Sequence, residues 1–191
     1  MVDKREQLVR AAFDLFYRDG IHAVGVNRVL SESGIAKKTL YHHFPGKDDL
    51  VAATVEYRHN AFLLWLEHRL EAVAGKKAVD ALYDALDDWF NGRDDALQPF
   101  HGCFFINVSA EFGDPEHPIH RLCAEHKRQV AAIVRCKLAA CLDDNEKTEQ
   151  LLEALMLLKE GAIVQAHVAG DKQAALKAKD VARMLLASVG C

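Results

Sequence analysis

Four side chains between residues 37 and 42 are of the kinds that bind phosphates and base edges. Lys37 and Lys38 carry ammonium groups, Tyr41 a hydroxyl on a flat ring, and His42 an imidazole that can donate or accept. In a helix over this stretch they share one side, because Leu40 and Phe44, four residues apart, claim the other. A helix of barely two turns does not hold itself together in water, so neighbouring elements must present it. Those elements lie just upstream. Val26, Val29 and Leu30 form an i, i+3, i+4 face of another short helix, and Ser33-Gly34-Ile35 supplies a turn in which Gly can take a positive φ. Pro45-Gly46 then breaks the chain before a further helix. A short helix backed by apolar contacts and displaying cations is what a helix-turn-helix offers to a DNA major groove.

The run Gly34–Leu50 reads G-I-A-K-K-T-L-Y-H-H-F-P-G-K-D-D-L. It resembles the TetR family of bacterial transcriptional regulators, whose pattern is approximately G-V-S-x-G-T-L-Y-x-x-F-x-S-K-x-x-L. The match lies at Gly34, Thr39, Leu40, Tyr41, Phe44, Lys47 and Leu50, and the motif similarity spans residues 8–55. Taken residue by residue, the resemblance implies DNA contacts at Thr39, Tyr41, His42 and Lys47. Tyr41 and Lys47 suit phosphates, the lysine because it sits at a helix N-terminus whose free N–H groups also favour an anion. Lys38 and His42 point outward together and are the candidates for base edges, with Lys37 as a phosphate anchor. Asn27 and Arg28, at the start of the first short helix, are placed to clamp the backbone or reach a neighbouring groove. Two positions depart from the pattern. Ala36 replaces the usual capping Ser, at a cost of about 1 kcal/mol, and Lys38 replaces the usual Gly, adding a long donor at the DNA surface. The resemblance further implies a homodimer on a near-palindromic operator of double-stranded DNA, repressing until a small-molecule effector binds the C-terminal body. No cofactor is implied.

Charge distribution agrees with a binder of this kind. The 191 residues carry a net charge of −4. Residues 1–50 hold 8 Lys+Arg and 7 Asp+Glu, leaving 16 and 21 for the remainder. Within 21–47, Arg28, Lys37, Lys38 and Lys47 face Glu32 alone, so a basic tip stands on an acidic body that repels phosphates. A mixed surface with a chance cluster is the plainer alternative. Five cysteines, Cys103, Cys123, Cys136, Cys141 and Cys191, make an odd count without framework spacing, and the charged start MVDKREQ is no secretory leader. Reduced thiols, a cytoplasmic location and no membrane span are expected.

The chain reads as all-α, with about nine helices. Residues 4–19 form an amphipathic helix (Leu8, Ala12 and Leu15 beside Val9, Phe13 and Phe16) closed by Gly20. A long helix starts at Gly46, with Asp48 and Asp49 complementing its dipole, and runs to about Val73. Helices are expected over 77–91, 101–112, from Pro118 to about Leu142, from DDNE at 143–146 to about Val168, and over 172–189. The segment 101–112 has strand-forming residues in Phe104, Phe105, Ile106 and Val108, yet an isolated strand would lack a partner, so a buried helix is expected. The predicted domains are 1–47, the helix-turn-helix unit, and 48–191, a helical ligand-binding and dimerisation body.

In that body Phe62, Trp65, Trp89, Phe90 and Phe104 are the apolar candidates for an effector pocket, with His101, Cys103, Asn107 and Glu111 as polar contacts. Ordinary core is the competing reading for most of them. The last two helices carry apolar stripes on two sides: Leu151, Leu155, Leu158 and Ala162 in one, Ala178, Ala182 and Leu185 in the other. Such helices form a dimer interface or a fully buried pair, and the resemblance favours the dimer. His117, His120, Cys123 and His126 offer imidazole and thiolate suited to a soft metal. Steps of three drift around a helix, so one segment cannot supply all four ligands. A metal- or thiol-responsive regulator using residues 101–126 is therefore the alternative. A Cys/His enzyme lacks any nucleophile elbow or phosphate loop, and an architectural DNA binder would lack a ligand cavity.

Overall fold

The computed structural model describes residues 3–139 and 145–190. All regular elements among the described residues are helices: α1 (Lys4–Asp19), α2 (Val26–Ser33), α3 (Lys37–His43), α4 (Lys47–Leu70), α5 (Gly75–Phe90), α6 (Phe104–Glu111), α7 (Pro118–Leu138), α8 (Asn145–Val168) and α9 (Ala174–Val189). The chain divides into two compact units. One comprises residues 1–60 and 103–126, the other 61–102 and 127–191, so the divisions fall inside α4 and α7.

In the first unit, α1 packs on α2 and α3. Its N-cap Asp3 accepts from the Arg5 N–H at 3.1 Å, and its buried face runs from Leu8 to Tyr17. Gly34 closes α2 in the left-handed region at φ 65°, a conformation that a side chain would strain. Around α1 lies an aromatic cluster. Phe13 meets Tyr17, Tyr57 and Phe104 at ring separations of 5.0–5.5 Å, and the fully buried Arg58 guanidinium lies over the Phe13 and Tyr17 rings. Segment 101–112 is helical over Phe104–Glu111, with Phe104, Phe105 and Val108 buried.

In the second unit, α9 packs against α5 and α8. Phe62, Trp65 and Trp89 interlock at 5.0–6.3 Å, and the Tyr83 hydroxyl donates to the Leu155 carbonyl at 2.9 Å. Lys179 and Arg183 of α9 reach Asp84 and Asp80 of α5. The long helix ends at Leu70 rather than Val73, and α5 begins at Gly75 rather than 77. The Lys137 ammonium takes the Glu71 carbonyl and Gly75 adopts φ 55°, so the chain turns before the apolar pattern ends. The expected end of α7 at Leu142, the first half of the DDNE signal, Cys141 and Cys191 lie outside the described residues.

Candidate nucleic-acid interface

Helix α3 has seven residues and no side-chain cap, because Ala36 occupies the N-cap position. It is held from beneath: Leu40 and Phe44 are buried, and the Arg5 guanidinium sits 5.2 Å from the Phe44 ring centroid. The outer face carries the exposed side chains of Lys37, Lys38 and His42, with Tyr41 46% exposed. Lys37 Nζ lies 6.0 Å from the Tyr41 ring centroid, which spreads charge over a flat surface. Thr39 is half-buried. Asn27 and Arg28 are exposed on the first turn of α2, but Arg28 is not a free cation: its guanidinium meets Asp19 at 2.6 Å. Arg18 shares that carboxylate at 3.1 Å, and hydrogen bonding from Arg18 leads the effects that hold the Asp19 carboxyl below its usual range.

Lys47 is half-buried at the start of α4. Its ammonium turns inward, donating to the Ile21 carbonyl at 2.6 Å and lying 5.9 Å from the Phe16 ring centroid. The other side of the same turn is held by Glu111, at the end of α6. One carboxylate oxygen accepts from the Ile21 N–H at 2.7 Å, and the other from the His22 N–H at 2.6 Å, with His22 Nδ1 also at 2.6 Å. Burial pushes the Glu111 carboxyl up, but these hydrogen bonds outweigh it and hold the group below its usual range. The α1–α2 turn is thus gripped at its carbonyl from α4 and at its N–H groups from α6. Residues 21, 47 and 111 show no pattern in sequence that would join them.

Comparison with known proteins adds an independent line. Residues 8–54 match the family model described as bacterial regulatory proteins of the tetR family, and residues 78–182 match the tetracyclin repressor-like C-terminal domain. The chain belongs to the TetR family. These proteins are helix-turn-helix transcriptional regulators. Relatives include the HTH-type regulator YxaF of Bacillus subtilis, 45% identical over 56 residues, a match that spans only 29% of either chain. LmrA of Bacillus subtilis is 25% identical over 164 residues, 85% of each chain. The crystal structure of SCO4454, a TetR-family regulator from Streptomyces coelicolor, superposes with a TM-score of 0.87 at 28% identity, covering 98% of this chain and 96% of that one.

In this TetR-family chain the nine candidate pocket residues divide between the two units. Phe62, Trp65, Trp89 and Phe90 are buried in the second unit, and His101 there is half-buried. Trp89 also borders a cavity of about 310 Å³ lined by Asp94, Leu97 and Gln98. Cys103, Phe104, Asn107 and Glu111 belong to the first unit, where Phe104 packs on Phe13 and Tyr17, and Glu111 is engaged by the α1–α2 turn. The seven candidate dimer residues also separate. Leu151, Leu155 and Ala182 are in the protomer's own core, whereas Leu158, Ala162, Ala178 and Leu185 line an open groove of about 710 Å³ along α8 and α9. Sequence periodicity missed the exposed apolar residues of these helices, Leu157 (75% exposed), Val164 and Met184 among them. His117, His120, Cys123 and His126 do not converge. His120 Nδ1 meets the Phe112 carbonyl at 2.8 Å, His117 Nδ1 accepts from the Ile119 N–H, and among the described residues no three His, Cys, Asp or Glu side chains form a metal-holding group. No described helix is long and apolar enough to cross a membrane.

Proposed function

We propose that this regulator lays the outer face of α3 in the major groove of a near-palindromic operator, binding as a cytoplasmic homodimer and acting as a repressor released by a small molecule. The observation that carries the reading is α3 itself: an uncapped, two-turn helix pinned by Leu40 and Phe44 and turned outward with Lys37, Lys38, Tyr41 and His42. Lys38 and His42 address base edges, Lys37, Thr39 and Tyr41 the phosphates, and Asn27 the adjoining backbone. Arg28 reaches DNA only by leaving Asp19. Lys47, at the start of α4, reaches a phosphate by leaving the Ile21 carbonyl that it otherwise holds.

The division of labour assigns 1–47 to DNA and 48–191 to effector binding and dimerisation. The apolar α8–α9 groove with exposed Leu157 is the proposed seam between subunits. The proposed effector site is the aromatic region around Trp89, whose cavity of about 310 Å³ is large enough for a small organic molecule. Fluorescence anisotropy on operator variants selected from the organism's own genome tests the reading. Lys38→Ala should change which bases are preferred, whereas Tyr41→Phe should weaken all sequences alike, and affinity should fall steeply with salt. A monomer indifferent to duplex DNA at low salt would overturn it.

A further inference from the structure

His126 is among the most enclosed polar side chains of the first unit. It is 2% exposed and stacked on Phe105, with ring centroids 3.4 Å apart and planes 9° from parallel, so its orientation on α7 is fixed. Its Nδ1 faces Nδ1 of His59, on α4, at 3.2 Å. The rings stand at 76° with centroids 5.4 Å apart. A hydrogen bond between two ring nitrogens carries one proton, one ring donating and the other accepting. Replacing that proton by a cation lets both rings act as ligands.

The distances suit that exchange. Two nitrogens bound to one tetrahedral zinc-class ion, each at about 2.0–2.1 Å, lie about 3.3 Å apart, and the centroids of their imidazoles lie about 5 Å apart. Beside His59 is a small cavity of about 50 Å³ lined by Val55, Glu56, His59, Leu122 and Glu125. It has room for a water ligand. Glu56, one turn before His59, and Glu125, next to His126, bring carboxylates to its wall. Among the described residues no three His, Cys, Asp or Glu side chains already form a metal-holding group, so the remaining positions fall to water or to rotation of the exposed Glu56 carboxylate.

We propose that His59 and His126 form a binding site for one divalent transition-metal ion of the zinc, nickel or cobalt class, joining α4 to α7. Imidazole nitrogen suits these ions, and a hard ion such as Mg²⁺ would be refused. The site differs from the residues at three-residue steps along α7: it takes one ligand from that series and its partner from another helix.

The full-length protein, stripped with chelator, is titrated with Zn²⁺ by calorimetry and with Co²⁺ by visible ligand-field absorption. The expected result is one ion per chain, with binding roughly tenfold or more weaker in His59→Gln, an effect of the size that disturbing a metal site brings. His59 is half-buried and more accessible than His126, so this is the less disruptive of the two substitutions. Should it fail to fold, imidazole ¹⁵N spectra of the wild type decide: Zn²⁺ should shift the Nδ1 signals of His59 and His126. Absence of stoichiometric binding, equal affinity in His59→Gln, or shifts confined to other histidines would overturn the site.

Discussion

Glu111→Gln isolates the grip on the α1–α2 turn. The wild-type carboxylate receives two backbone N–H groups and the His22 ring, at 2.6–2.7 Å. Gln keeps one carbonyl oxygen and presents an NH₂ where the second oxygen stood, so one donor from Ile21 or His22 is left facing another donor. Hydrogen bonds to a charged group contribute about 1.5–3 kcal/mol, and an orphaned donor costs about 1–3 kcal/mol when buried. The Glu111 side chain is 24% exposed and His22 more so, which moves the expectation to the lower end. A loss of about 1–2 kcal/mol at pH 7 follows. The pH dependence has a definite sign. The folded-state pKa of Glu111 lies below its ordinary 4.5, so its contribution is fully present above that value and lost as pH falls through the folded value. Urea unfolding at pH 7 and pH 4 measures both effects. Glu111→Gln should lower stability at pH 7 and make the acid loss shallower. A variant indistinguishable from wild type at pH 7, or one with an unchanged acid slope, would refute the grip.

Glu160 lies between Lys127 and the 2%-exposed Lys159, each at 2.6 Å; burial raises its carboxyl, but the two ammonium groups outweigh that and hold it at about 2. Glu160→Gln should lower the melting temperature at pH 7, because it removes the negative charge that both ammonium groups meet at 2.6 Å, and should flatten the stability loss between pH 4.5 and about 2. Gly102 has φ +83°, and a Cβ there would stand 2.8 Å from two His167 ring atoms. Gly102→Ala should destabilise by about 1–3 kcal/mol, and adding His167→Ala should recover only the steric part. Leu157→Glu should shift sedimentation towards monomer at micromolar concentration and lower the melting temperature only by the stability that dimerisation lends; a dimer of wild-type strength would remove the α8–α9 seam. Lys47→Met and Glu111→Gln act on the two sides of Ile21, so a double-mutant cycle should show a coupling of about 0.5–3 kcal/mol rather than additivity.

The sequence made the helices legible wherever local chemistry repeats. Gly20 marks the end of α1, and the Leu40–Phe44 spacing shows which side of α3 is inward. The segment at 101–112 has strand-like composition, yet it is helical because it packs within a helical unit. What stayed hidden is long-range. Glu111 reads as a polar pocket residue until it is seen 90 positions from Ile21, accepting its N–H. Lys47 reads as a phosphate ligand from its place at a helix start, and nothing in the sequence marks its hydrogen bond to the Ile21 carbonyl. His59 has no neighbour in sequence that marks it as the partner of His126. In α8 and α9 apolar residues occur on two sides, and periodicity cannot say which stripe the protomer keeps: Leu155 turned inward, and Leu157 outward.

A helix-turn-helix unit of about 45 residues buries too little surface to be firmly stable alone, so it draws stability from what surrounds it. Here the sources are specific. Phe13 of α1 rests on Tyr57 of α4 and Phe104 of α6, and the turn leading into α2 is tied to Lys47 of α4 and Glu111 of α6. The contacts that keep the DNA-reading helices folded are therefore the same ones that fix their placement on α4 and α6. A displacement of α6 cannot be absorbed without stretching the hydrogen bonds at Ile21 and His22 or dragging that turn along. An effector moves such an equilibrium only by the difference in its binding energy between the two arrangements. On the proposed reading, an effector that displaces α6 must favour the displaced arrangement by more than the ~1–2 kcal/mol that this part-exposed carboxylate contributes. Weakening the grip at Glu111 should therefore make operator affinity less dependent on the state of α6, while the exposed face of α3 keeps its base preference.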